Sequence, residues 1–521
     1  MFNVSFSQNI QWQNTIGGSD VDLLWSVNQT LDSGYILGGM SNSNISGDKL
    51  ENSLGIFDFW VIKLDGVGNT QWQNTIGGDG YEWLYSVNNT TDGGYILGGI
   101  SKSNISGDKT ENNLGGSDYW VVKLNAAGSI QWQNTIGGSS VDALNSIQQT
   151  VDGGYILGGT SASNISGDKT ENSLGLVDYW VIKLDSLGNI QWQNTIGGSL
   201  NDHLMSIQQT ISGDYILGGF SESNISGDKS ENSLGDADYW VVKLDTSGNT
   251  QWQNTIGGDT IDELRSIQQT LDGGYILGGS SLSNISGDKT ENSLGGYDYW
   301  IVKLDSVGNI QWQNTIGGNS YEQLFKVKQA SDSGFFLGGY SFSNISGDKT
   351  ENNLGGSDFW IIKMDSIGNI QWQNTIGGSL WDALISLDAT NDNNYILGGI
   401  SDSDISFDKT ENCLGDYDYW VVKINDTTLT TSLPQLPQLP NYPITLSPNP
   451  ADELIVIGYQ FNKGDVIRLT DVLGKTVFTK TFSSPPSALR LPVTAFPNGI
   501  YFLSLQSEKK AFHQKLVIAH Q

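Results

Sequence analysis

Apolar and polar residues alternate with period two along most of this chain. The alternation is broken by short glycine-rich turns and never lengthens into a helical period. Between Ser146 and Ile196 it predicts four short strands: SIQQT from Ser146, YILGGTS from Tyr155, DYWVIKL from Asp178 and IQWQNTI from Ile190. Val151-Asp152-Gly153-Gly154 joins the first two, and Asp-Gly is a strong hairpin signal because glycine accepts positive φ freely. Asp185 to Asn189 joins the last two; its aspartate can hold turn amides while Gly188 takes the unusual dihedral. In DYWVIKL, Trp180, Ile182 and Leu184 point one way and Tyr179 and Val181 the other, so a sheet covered on both faces is expected.

This unit recurs every 60 residues. QWQNTIGG begins at Gln11, Gln71, Gln131, Gln191, Gln251, Gln311 and Gln371, and an aromatic-Trp pair recurs from Trp60 to Trp420 in the same register. A fixed period of this size marks a repeat architecture in which one unit cannot bury its own apolar face. Four-stranded units packed face to face make a β-propeller, and a linear β-solenoid is the alternative. The cut favours the ring. Ile10 to Ile16 is a fourth strand with no first three before it, and Asp418 to Asn425 is a third strand with no fourth after it. The N-terminal strand would complete the last unit and remove exposed sheet edges. The expected fold is therefore all-β: a seven-bladed propeller of four-stranded repeats over 9–425, closed by its first strand.

The repeat resembles the kelch and galactose-oxidase class of propeller over residues 10–425. YILGG matches the hydrophobic run ending in two glycines, and Tyr179 and Trp192 match the later Tyr and Trp. It departs at the 13-residue segment SNISGDKTENSLG, and the copper site of that oxidase has no counterpart in a ring with one His (His203) and one Cys (Cys413).

Composition changes after the ring. A Pro-rich linker, 426–445, precedes about 75 residues of non-repeating strand pattern, expected to form a small β-sandwich over 446–521. This region resembles the C-terminal sorting domain of type IX secretion substrates in Bacteroidetes. The matching residues are Pro448, Asn449 and Pro450, then Asp471 and Gly474 in TDVLGK, then Asn498, Gly499 and Tyr501 in PNGIYF, and Lys515 near the end. The resemblance implies export through the periplasm to the cell surface or medium and contact with the type IX machinery. Residues 1–8 read as the tail of a secretory signal. No run of about 18 apolar residues exists to span a membrane.

The net charge is −30, spread through the repeats, which makes nucleic acid and anionic lipid poor partners. Arg occurs only at Arg265, Arg468 and Arg490, and Arg265 alone lies in the ring, too few for a three-arginine carboxylate clamp. No cofactor is expected. Calcium enters only through GDKTEN, where Asp108, Thr110 and Asn112 alternate beside Glu111; Lys109 inside the motif favours a hydrogen-bonded brace instead.

Function is to be sought where the copies differ. The loops after strand four and between strands two and three share one face of a propeller, and the most variable positions lie there. Aromatic residues occupy them irregularly: Trp25, Tyr81, Trp83, Tyr85, Phe220, Tyr321, Phe325, Tyr340, Phe342 and Trp381. Such side chains among hydroxyls and acids suit sugar rings or a partner protein. The expectation is a monomeric, non-catalytic binding ring for an extracellular glycan or protein. A purely structural surface protein and a polysaccharide-acting enzyme are the alternatives.

Overall fold

The computed structural model describes residues 10–425, 445–447, 454–458, 463–471, 475–482, 489–507, 510–518 and 520. The expected signal remnant (1–8) and nearly all of the linker lie outside them, as do Pro448, Asn449, Pro450 and Gly474. The chain divides into two compact units, Met1–Leu429 and Thr430–Gln521.

The first unit opens with β1 (Ile10–Ile16), followed by β2 (Asp22–Gln29), β3 (Tyr35–Ser41), β4 (Asp58–Leu64) and β5 (Thr70–Ile76). β2 to β5 form an antiparallel sheet in sequence order, and five more sheets repeat this at 60-residue intervals. The seventh sheet takes Asp382–Ala389, Tyr395–Ser401 and Asp418–Ile424 and is completed by β1, with Ile16 opposite Tyr419 and Ile10 opposite Ile424. The arrangement is that of a seven-bladed β-propeller.

Packing between neighbouring sheets rests on one indole each. Trp60 and its six counterparts are fully buried. Removing such a ring from water gains up to about 4–6 kcal/mol. Trp60 lies 5.0 Å from Tyr419 of the seventh sheet, whose hydroxyl donates to the Trp60 carbonyl at 3.1 Å. Tyr119 and Trp180 repeat the contact at 4.9 Å and 3.0 Å. The junction between sheets seven and one is thus built like the others. The double glycine of YILGG follows from this closeness. A Cβ on Gly38 would lie 2.8 Å from Leu84 of the next sheet, and one on Gly39 would lie 2.0 Å from the Leu23 carbonyl oxygen.

Each junction also buries two carboxyl groups. Asp382 of sheet seven and Asp358 of sheet six are both fully inaccessible, and the Asp382 amide donates to the Ser357 carbonyl at 2.8 Å. In both, the Oδ1 atom has no hydrogen-bond partner. Equivalent pairs include Asp22 with Asp418 and Asp142 with Asp118. A buried lysine lies within each sheet between its two acids, as Lys349 does near Asp358 and Glu322. Burial drives the Asp358 carboxyl up to about 7, and the neighbouring charge of Asp382 adds to it.

In GDKTEN the carboxylates turn to backbone amides. Asp108 Oδ2 accepts from Gly77 N (3.2 Å) and Glu111 Oε2 from Thr135 N (2.6 Å). Lys109 Nζ bonds Thr135 Oγ1 above the Trp120 ring. Among the described residues no three His, Cys, Asp or Glu side chains gather as a metal site.

The second unit is a sandwich. Thr445–Ser447, Leu454–Gly458 and Leu489–Pro492 form one sheet, and Thr476–Thr481, Val466–Asp471, Gly499–Ser507 and Lys510–Ile518 form the other. Ile467, Leu469, Leu491, Leu503 and Leu516 lie in one core between them. The signature residues that are described hold turns. Lys475 N donates to Asp471 Oδ1 at 2.9 Å, Tyr501 Oη donates to the Pro497 carbonyl at 2.9 Å, and Asn498 Oδ1 accepts from His520 N at 2.7 Å. Gly499 opens its strand, and Lys515 lies within the last one opposite Phe502.

Candidate functional site: an aromatic face on the ring

The innermost strand of each sheet carries a β-bulge. In β2 the pairing with β3 shifts between Leu24 and Ser26, which leaves residue 25 unpaired. A bulge re-aims a side chain without breaking the sheet. It recurs at residues 85, 145, 205, 265, 325 and 385, which carry Tyr, Asn, Met, Arg, Phe and Ile. The scaffold around it is constant. Asp22 is buried and accepts from Gly18 N (2.6 Å) and Ser43 Oγ (3.0 Å), so the acid retained in every copy pins the loop and leaves its neighbours free to vary.

Sheets six, seven and one bring four of the expected residues together. Trp25, Phe325, Tyr340 and Trp381 line one cleft of about 590 Å³, with Val21, Leu23, Ile385, Ile400 and Tyr417. Tyr340 lies 5.9 Å from Phe325 and 6.1 Å from Trp381, and Trp381 is 5.7 Å from Tyr417. Tyr340 Oη donates to Gln323 Oε1 at 2.7 Å, which fixes the ring. Its hydroxyl is pushed up to about 12, first by burial.

Aromatic contacts extend from both ends of the cleft. On one side Tyr340 meets Phe342 (5.9 Å), Phe342 meets Tyr321 (6.2 Å) and Tyr321 meets Tyr297 (5.1 Å). On the other, Trp25 meets Tyr85 (5.3 Å), which leads through Trp83 to Tyr81 at 6.5 Å per step, and Tyr81 stacks on Phe57 at 6.3 Å. The indole nitrogens of Trp25 and Trp83 are buried within this string and have no hydrogen-bond partner. Phe342 is 38 % exposed, a large apolar ring left open to solvent.

Phe220 stands apart from the string. It packs on His203 at 4.9 Å and under the Arg265 guanidinium at 5.9 Å, and Arg265 pairs with Glu263 at 2.6 Å. Burial lowers the His203 pKa. Other acids near the face serve the backbone or an amide: Asp402 Oδ1 accepts from Trp381 N (2.6 Å), and Glu222 Oε2 accepts from Asn201 Nδ2 (2.8 Å).

Sequence reasoning missed Tyr417, Tyr297 and Phe57. All three precede the conserved Asp of the third strand, a position that reads Phe57, Ser117, Val177, Ala237, Tyr297, Ser357 and Tyr417 and so varies as freely as the others. The backbone brings it to the face, because Tyr417 bridges Val21 and Phe57 bridges Tyr81 of the next sheet. A second break is Phe407, 69 % exposed at φ 48° where the other six copies carry glycine.

Residues 445–519 match the secretion system C-terminal sorting domain family (Por_Secre_tail). The chain is therefore exported by type IX secretion, to the cell surface or the medium, and its sorting domain engages that machinery. The chain is 23 % identical over 230 residues to the regulatory protein FlaEY of Caulobacter vibrioides, a match that covers 39 % of this chain and spans only 23 % of that protein's length. Among solved structures, PorZ, a surface component of the type IX secretion system of Porphyromonas gingivalis, shares 9 % identity over 96 % of this chain and 60 % of its own, with a TM-score of 0.37. A glycoside hydrolase of family 32 from Bifidobacterium adolescentis shares 9 % identity over 98 % of this chain and 96 % of its own, with a TM-score of 0.25. Among the described residues no helix is long and apolar enough to cross a membrane.

Proposed function

We propose that the ring is an extracellular binding module that takes a protein or glycan on the aromatic face of sheets six, seven, one and two. One observation carries this reading: aromatic residues at positions that differ from copy to copy converge on a single apolar cleft. Repeat drift alone scatters such residues over seven sheets. The aliphatic walls (Leu23, Ile385, Ile400) favour an apolar side chain of a protein partner, since interface anchors sit in desolvated, aromatic-lined pockets. The string from Trp25 to Tyr81 favours a second reading, a sugar chain laid flat on the rings. Both readings are of binding without turnover.

The test screens the full chain and its Trp25→Ala/Trp381→Ala variant against a glycan array and against purified extracellular proteins of its own host. Ligands retained by the wild type and weakened at least tenfold in the double variant support the assignment. Identical profiles for the two chains, or turnover of a bound polysaccharide, refute it.

A further inference from the structure

The inner strands of all seven sheets enclose a narrow polar passage of about 140 Å³. Six sheets place a serine in its wall: Ser26, Ser86, Ser146, Ser206, Ser266 and Ser386. Sheet six has Lys326 instead, and two residues on it has Lys328 where the first five sheets have Asn or Gln. Sheet seven has Asp388 at that second position, and Lys328 Nζ pairs with its Oδ1 at 3.0 Å. Asp388 Oδ2 also accepts from Gln29 N at 3.2 Å. The single acid is thus spent on Lys328. Lys326 has no ion pair or hydrogen bond among the described residues, so the passage of a chain with net charge −30 holds one uncompensated ammonium.

Lys326 is half-buried in this wall, and an ammonium there without a protein partner is balanced by water or by a counter-ion. The surroundings suit a counter-ion. Ser266 Oγ accepts from Val327 N at 3.3 Å and Ser386 Oγ from Val27 N at 3.1 Å. A hydroxyl that accepts in this way keeps its own proton to donate. We propose that Lys326 anchors a small-oxyanion site in the central passage, with the flanking Ser266 and Ser386 hydroxyls as further donors. A space of about 140 Å³ admits an ion such as phosphate or sulfate. Burial first, and then the charge of Lys328, bring the Lys326 ammonium down to about 8, with Asp388 opposing. Lys328 and Asp388 are the charged groups facing it, so the site discharges and releases its anion as the pH rises through that value. This site is independent of the aromatic face.

Calorimetric titration of inorganic phosphate, and separately of sulfate, into the full chain at pH 7 tests it. The Lys326→Ser variant is the control, because it restores the residue that the other six sheets carry. One anion per chain is expected for the wild type, with at least tenfold weaker binding in the variant and at pH 9. The melting temperature should rise with phosphate in the wild type alone. Silence in the wild type, or equal binding by Lys326→Ser, overturns the proposal.

Discussion

Replacing Asp358 by Asn tests whether the buried carboxyl pairs titrate within the pH range in which the protein works. The folded carboxyl sits at about 7 against an ordinary 3.8, so the folded state holds its proton more tightly than the unfolded chain does. A raised value of this sign contributes stability in full below 3.8, and that contribution is lost as the pH climbs through about 7. The difference of about 3 units corresponds to about 4 kcal/mol at low pH, of which about 3 remains at pH 5 and none at pH 8. The asparagine keeps one oxygen for the Leu354 amide (2.5 Å) and places an N–H at the unpartnered Oδ1 position. For a ring of about 415 residues the unfolding entropy is about 0.9 kcal/mol/K, so 3 kcal/mol is about 3 °C. Melting curves of wild type and Asp358→Asn at pH 5 and pH 8 are the assay. The fall in melting temperature between the two should be about 3 °C smaller in the variant. The turn aspartates Asp92 and Asp392, held at about 2, titrate below this window and do not disturb it. An identical fall in both proteins, or an equal loss at both pH values in the variant, refutes the raised-carboxyl reasoning.

Deleting residues 1–18 removes β1 and leaves Asp418–Ile424 as an open edge. The melting temperature should drop by more than 10 °C, and an unchanged melt in differential scanning calorimetry would show that the clasp contributes little. Removing residues 446–521 should strand the chain in the periplasm of a type IX-competent host, as read by immunoblots of periplasm and medium; normal surface delivery would reassign the C-terminal unit.

The ring was legible because its causes are local and repeated. Alternation gave each strand, Asp152-Gly153 gave a turn in which Gly153 takes φ 84°, and the mid-unit cut gave the pairing of Ile10–Ile16 with Asp418–Ile424. The aromatic face was legible in part. Variation between copies exposed Trp25 and Trp381, yet nothing in a linear reading says that residue 417 of one repeat lies beside residue 21 of another; that adjacency is made by a parallel bridge between sheets. The buried acid pairs were hidden for the same reason. Asp358 and Asp382 look like ordinary turn-flanking acids until two sheets meet. Phe220 shows the converse: it varies as the site residues do but belongs to the His203 and Arg265 cluster.

The clasp at Ile10–Ile16 also sets a timetable. Its partner strand ends at Ile424, so Ile10–Ile16 stays without its partner until nearly the whole ring has been made. Until then the earliest segment to emerge competes with six near-identical copies of itself for a place on any unfinished edge. Each newly made QWQNTI segment escapes that competition by following its own sheet through a five-residue turn, such as Asp185 to Asn189, whereas the first must wait for a partner about 400 residues downstream. Proofreading of strand placement therefore falls on the newest neighbour, and the order of synthesis, more than sequence difference, decides which strand completes which sheet.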